Sequence, residues 1–268
     1  MKLKKLTLIL LTFSAVAVRA QTVNGDYVKK LYQKYPTQKT DFCASCKLWV
    51  NPYYKSIADT ARHMPLLTFY IYTKAHRLEQ EALKVPRSGI TAAWHAAFGQ
   101  KSETAVYTEA NRIVQQRNLP GEIQKGHCQA WILLAYTVDG AILSDTYTFN
   151  SAMEFRGQNL GTEIESEERC RKLTGIGDNP EVTDSVRIWC GTFGSQRTFT
   201  KGSVTNTVPA FYYKIIQYFD HIQNRQIREC YWMPNQPEET RDKLALRKVD
   251  FEVLTGNLGF NPQAIFSQ

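Results

Sequence analysis

Outside residues 6–18, the 268-residue chain has no apolar run that approaches the roughly 20 residues a bilayer helix needs, and 6–18 is itself too short. That run follows Met1-Lys2-Leu3-Lys4-Lys5 and precedes Val18-Arg19-Ala20, so residues 1–20 read as a cleaved signal peptide and not as a span. The expectation is an exported protein, secreted or periplasmic, without a membrane partner. No Pro/Ser/Gly-rich linker, low-complexity tract or internal repeat divides the remainder, and residues 21–268 read as a single domain. Gly-x-Ser-x-Gly, a Walker-type phosphate loop and Gly-x-Gly-x-x-Gly are all missing. Leu173-Thr174-Gly175-Ile176-Gly177-Asp178 lacks the lysine and the strand–helix context that a nucleotide loop requires.

Charge and cysteine narrow the field further. The formal charge is +8, but losing Lys2, Lys4, Lys5 and Arg19 with the signal peptide leaves 29 basic against 25 acidic residues, or +4. That mild excess fits a surface for polyanions without requiring one. Six cysteines in an exported chain suggest disulfides. Cys43-Ala44-Ser45-Cys46 has neither a second Cys-x-x-Cys nor a His-x-x-x-His to complete a zinc site, and no thioredoxin-like βαβ context, so it reads as a local disulfide.

The pattern of the chain is mixed. Helices are expected over 25–35, 73–83 (opened by a capping Thr73), 102–116, 238–246 and 250–255, with Asp250 at the start of the last and Gly256 as its left-handed end. Strands are expected at 65–72, 186–190, 199–204, 211–218 and 227–233, with 37–54 and 86–101 loop-like or irregular. Strands and helices in mixed runs imply an α+β fold with a mainly antiparallel central sheet flanked by helices.

The stretch 125–173 carries the chemistry. Lys125-Gly126-His127-Cys128 follows a loop, and a β-prone 145–150 ending in Asn150 follows in turn. Then comes a polar helix over 157–171, in which Asn159, Glu163, Glu167 and Arg171 recur every fourth residue. Residues four apart drift about 40° around a helix, so these four trace one slow spiral. Read alone, the helix is equally an exposed salt-bridged face and His127 an ordinary loop histidine. Cys128 is no partner for His127, because neighbours in a strand point to opposite faces. His63, His76, His95 and His221 have no evident convergent partners.

The collinear order of these motifs resembles the DNA/RNA non-specific endonuclease family of ββα-metal (His-Me finger) nucleases. That family has Asp-Arg-Gly-His, a Ser-Asn segment and a helix of the form Asn-x3-Trp-x3-Glu-x3-Arg. The matching residues are Gln124-Lys125-Gly126-His127, the segment ending at Asn150, and Asn159-x3-Glu163-x3-Glu167-x3-Arg171. Residues 67–74, 186–191, Val208-Pro209-Ala210-Phe211-Tyr212-Tyr213-Lys214 and 249–256 resemble its flanking segments, so the likeness runs from about 65 to 262. The chain departs from the pattern at Gln124 for Asp, Lys125 for Arg and Glu163 for Trp, and the usual Pro-Gln after the Ser-Asn segment is absent from 151–155.

The resemblance implies a ββα-metal finger and a secreted, Mg-dependent (Mn possible) endonuclease that hydrolyses DNA and/or RNA. His127 would be the general base, and Asn159 the protein ligand of the metal. Glu167 would hold a water of its outer shell, and Arg171 would stabilise phosphoryl charge. Asn150 would position the site, while Lys125 and Arg87 would contact phosphate. The alternative is a catalytically impaired nucleic-acid-binding protein on the same fold, disabled at Gln124, Lys125 and Glu163. A thiol–disulfide protein built on Cys43 and Cys46 is a third reading.

Overall fold

In the computed structural model, residues 25–85 and 103–267 are described. The strand Met64–Thr73 (β4) shows how the molecule layers. Leu67 and Phe69 are buried on one face and Tyr70 and Tyr72 on the other, so both faces of the sheet are covered. Its neighbours repeat the alternation: Val186, Ile188 and Cys190 face one way and Trp189 the other in Ser185–Phe193.

Eight strands form the main sheet, every pair antiparallel. In spatial order they are Gln38–Lys39 (β1), Cys46–Val50 (β2), Lys55–Asp59 (β3), β4, Ser185–Phe193 (β7), Phe211–Asp220 (β10), Arg225–Pro234 (β11) and Lys248–Val249 (β12). Two hairpins stand apart: Ile123–His127 (β5) with Ser151–Phe155 (β6), and Arg197–Lys201 (β8) with Val204–Val208 (β9). One face of the sheet is covered by Gly25–Lys34 (α1), Trp131–Leu134 (α4), Val138–Ser144 (α5) and Ile164–Leu173 (α7). Phe251–Leu258 (α8) and Pro262–Ile265 (α9) cover the other through Leu254, Leu258 and Phe266. Thr104–Gln116 (α3) lays Val106, Ala110 and Val114 over both hairpins. Lys74–Leu83 (α2) follows β4 directly, with Thr73 Oγ1 accepting from His76 N at 3.1 Å as its cap. The expected α+β class with a mainly antiparallel sheet is the one observed.

Several local expectations are corrected. Residues 37–54 are not loop: Leu48-Trp49-Val50 continue into β2, which turns into β3 where Asn51 Oδ1 accepts from Tyr53 N and Tyr54 N at 2.9 and 3.0 Å. Residues 145–150 form a turn, because Thr148 adopts φ 66° and pairing with β5 starts only at His127↔Ser151. The strand expected at 199–204 is the β8–β9 hairpin, turning at Gly202. The 238–246 helix is a 3-10 segment, Arg241–Arg247. The left-handed end of α8 is Gly259, not Gly256. Cys43 and Cys46 are disulfide-bonded, whereas Cys128, Cys170, Cys190 and Cys230 remain buried thiols. The expected 1–20 signal peptide and irregular 86–101 segment lie outside the described residues, as does Arg87.

The polar helix departs most from its sequence pattern. It runs as Arg156–Gln158 (α6), a π-type turn Asn159–Glu163, and α7, with Gly161 at φ −99°, ψ −109° breaking the helical path. A Cβ at Gly161 would lie 2.8 Å from Glu239 O, so only glycine lets the neighbouring backbone approach this closely. The kink turns Glu163 inward, where it is 0% exposed, and the single spiral of four residues is lost. Lys214 of β10, 1% exposed, meets it there: its Nζ donates to Glu163 Oε1 and to Ser166 Oγ at 2.8 Å. Lys214 stands in a row running Thr68, Cys190, Lys214, Tyr231 across the sheet, on the face that carries the finger. Burial alone would lower the Lys214 pKa, but the Glu163 carboxylate holds it well above an ordinary lysine, so the pair is ionic.

Glu154 of β6 lies beside this pair, fully buried and with no hydrogen-bond partner for either carboxyl oxygen among the described residues. Burial first, then the charges of Glu163 and Glu167, raise its pKa well above the usual 4.5. Its Oε2 would be 1.7 Å from a Cβ at Gly126, which is why the residue before His127 has no side chain.

Two outcomes follow from these buried charges. Lys214→Met should cost about 3–5 kcal/mol in urea unfolding at neutral pH, because it leaves a buried carboxylate unpaired; a loss below about 1 kcal/mol, as for a surface pair, would contradict the reading. Glu154 stays neutral in the folded chain but ionises in the unfolded one above pH 4.5, so folding weakens as pH rises, by up to about 1.4 kcal/mol per pH unit. Glu154→Gln should therefore raise the Tm at pH 7–8, with the gain disappearing towards the ordinary carboxylate value. A gain that is constant with pH would sink this account.

Candidate functional site

The finger begins where β5 pairs with β6. Lys125 and His127 are two apart on β5 and so share a face, and both reach the same buried carboxylate, Asp145, just after α5. His127 Nε2 is 2.8 Å from Asp145 Oδ1. Burial pushes the Asp145 carboxyl up, but the His127 hydrogen bond and the Lys125 ammonium together hold it well below the ordinary carboxylate range. An ionised carboxylate can only accept, so Nε2 carries the proton and the lone pair of the neutral ring is on Nδ1. This fixed tautomer is what a general base requires.

Asn150 stands behind the histidine. Its carbonyl accepts from Cys128 N at 2.7 Å, and its side-chain Oδ1 accepts from Gln129 N at 2.8 Å. Its Nδ2 donates to Gln129 O and Ser144 O at 2.8 and 2.6 Å. Fully buried and outside the cleft lining, Asn150 holds the chain on either side of the finger and touches no reacting group. Gln129 Nε2 in turn donates to Thr68 Oγ1 at 2.9 Å, pinning the finger to the central sheet.

A cleft of ≈ 290 Å³ opens in front of His127, and Asn159, Glu167 and Arg171 line it with the histidine. Trp131, Ile132, Leu160 and Ile164 form its apolar walls. The kink that buries Glu163 therefore leaves the other three residues of the spacing on one opening. Asn159 Nδ2 donates to Gln124 Oε1 at 2.8 Å, and Gln124 Nε2 donates to the Glu122 carboxylate at 3.4 Å. Because a carboxylate cannot donate, this chain fixes both amides and leaves Asn159 Oδ1 as the acceptor for a cation. Gln124 thus orients the amide. Arg171 Nε is buried without an acceptor among the described residues, a donor suited to an anion.

The donors fit a hard ion and not a soft one. One amide oxygen with a carboxylate beyond it suits magnesium, which keeps most of its waters. No group of three or more His, Cys, Asp or Glu that could hold a metal occurs among the described residues, so a zinc-type cage has no basis here. Lys125, expected to contact phosphate, is placed beside Asp145. Its ammonium donates to Asp145 and sits 5.1 Å from the Tyr147 ring centroid, and it does not line the cleft. Its charge balances Asp145 beneath the histidine. The residue that sequence reasoning missed is Asp145, 18 positions from His127, with no spacing rule to connect the two.

No family model matches the chain, and no curated protein matches it. Among solved structures, a chain of the crystal structure of the EndoG/EndoGI complex is similar, with a TM-score of 0.62 and 18% sequence identity. The alignment covers 81% of this chain and 86% of that one. At this identity the likeness is one of fold: a mixed α+β architecture with a large antiparallel sheet flanked by helices.

Proposed function

We propose that the chain is an exported, secreted or periplasmic, metal-dependent endonuclease that hydrolyses phosphodiester bonds of DNA and/or RNA without sequence preference. The observation that carries this reading is the cleft in which His127, oriented by Asp145, faces Asn159, Glu167 and Arg171. In the described residues no helix is long and apolar enough to cross a membrane.

His127 Nδ1 would take a proton from a water as that water attacks phosphorus. The resulting imidazolium would be stabilised by the Asp145 carboxylate on its other nitrogen. Arg171 would meet charge developing on the non-bridging oxygens. Asn159 would hold a magnesium ion (or manganese) by its amide oxygen, with Glu167 outside it; when bound, the ion supplies Lewis-acid polarisation of the phosphate. Contacts addressed to phosphate carry no base information, so cleavage should be indifferent to sequence.

His127→Ala should lower plasmid cleavage by roughly 10²–10⁴-fold with an unchanged circular-dichroism spectrum. Digestion at the native rate would overturn the assignment of the base. EDTA should stop cleavage and added Mg²⁺ or Mn²⁺ restore it in a digestion gel; cleavage that persists without divalent metal would remove the role given to Asn159.

A further inference from the structure

A second pocket, of ≈ 260 Å³, shares no lining residue with the His127 cleft and takes no part in the chemistry above. It is smaller than the roughly 300–1,000 Å³ of drug-sized ligand pockets, leaving room for about one flat ring system. Its lining is aromatic, from Tyr53, Tyr70, His76 and Tyr136, with Lys55 at its edge. His76 and Tyr136 stack face to face with centroids 4.0 Å apart and planes 9° apart, so His76 backs one face of Tyr136. Tyr53 faces Tyr136 at 5.8 Å, tilted by 53°, so the walls open as a wedge.

These rings are held in place. Tyr70 Oη donates to Leu133 O at 3.0 Å and lies 2.9 Å from His76 Nδ1, while the Asn51 turn presents Tyr53. Burial lowers the His76 pKa from 6.5, so the imidazole is neutral at neutral pH. Tyr53, Tyr136, His76 and Lys55 are all half-exposed. The position of the pocket is what gives this meaning. Trp131 at one end of α4 lines the cleavage cleft and Tyr136, just past the other end, lines this pocket. Tyr136 is five steps along the chain from Trp131, which caps their Cα distance at about 17 Å, within reach of a short run of nucleotides.

We infer that this wedge is a base-stacking subsite, taking one unpaired nucleobase of a nucleic-acid strand whose backbone continues into the His127 cleft. The inference rests on the nuclease reading above. Every base offers a π-face, so the subsite is indifferent to sequence, and Lys55 supplies a cation for the adjacent phosphate. A base inside a duplex has both faces covered, so the pocket favours single-stranded over duplex ligand.

The test uses the full chain in EDTA, so that binding is read without cleavage, with fluorescein-labelled oligothymidylates as the probe in anisotropy titrations. Tyr136→Ala should weaken binding roughly 5- to 150-fold, the range that one base–aromatic stack carries. Tyr136→Phe, which keeps the ring, should retain the affinity, and duplex binding should not change in either variant. Circular dichroism on both variants separates loss of the ring from loss of the fold. Unchanged single-strand affinity in a folded Tyr136→Ala protein overturns the subsite while leaving the nuclease reading standing; a pocket that accepts an aromatic side chain of a protein partner would give this result. A wild-type chain that cleaves plasmid yet binds no oligonucleotide also overturns the subsite alone, whereas one that neither cleaves nor binds removes both.

Discussion

The buried pair between Lys214 and Glu163 is the constraint on which the placement of the candidate site depends. One partner belongs to the middle of the antiparallel sheet and the other to a break in the helix that carries most of the cleft residues. Two charges taken out of water are costly unless they meet each other with their remaining valences met, so their attraction fixes a distance and a direction at once. The helix can then lie only where Glu163 points into the protein. Asn159 on one side of the break, and Glu167 and Arg171 on the other, are left lining the opening. A tryptophan at this position, as in the related pattern, would hold the helix by apolar contact instead; here an ion pair and the Ser166 hydroxyl occupy that place.

The finger is organised by a second electrostatic centre. Asp145 receives Lys125 and His127 from one face of β5, and this triad keeps a carboxylate ionised in a nearly dry environment. Because of that charge, the histidine has a single tautomer and a single orientation. Lys125 thus balances the carboxylate that orients the histidine. Asn150 and Gln129 carry the same rigidity into the backbone and down to Thr68 on the sheet. Both centres converge on one cleft through unrelated stretches of chain.

Much of this was legible in the sequence, for identifiable reasons. The strands 65–72, 211–218 and 227–233 announce themselves by β-branched and aromatic residues, and are observed as β4, β10 and β11. The four-residue spacing put Asn159, Glu167 and Arg171 on one stretch, and the structure brings all three to the cleft with His127. It failed at Glu163 because periodicity presumes a continuous helix, whereas close approach of the 239–240 backbone to Gly161 breaks it. Asp145 was invisible as a partner because its contact with His127 depends on how a turn closes, and turn closure has no period. The strand Cys46–Val50 was hidden by the disulfide and turn residues on either side of it.

The central claim is that a water activated at His127 attacks phosphorus. It is tested most directly by cleaving DNA and RNA oligonucleotides in water enriched in heavy oxygen and weighing the products by mass spectrometry. The account predicts cleavage of at least one of the two polymers with a single heavy oxygen in the new terminal phosphate. Cleavage confined to RNA, with cyclic phosphate ends free of heavy oxygen, would mean that the ribose hydroxyl is the nucleophile and would contradict it.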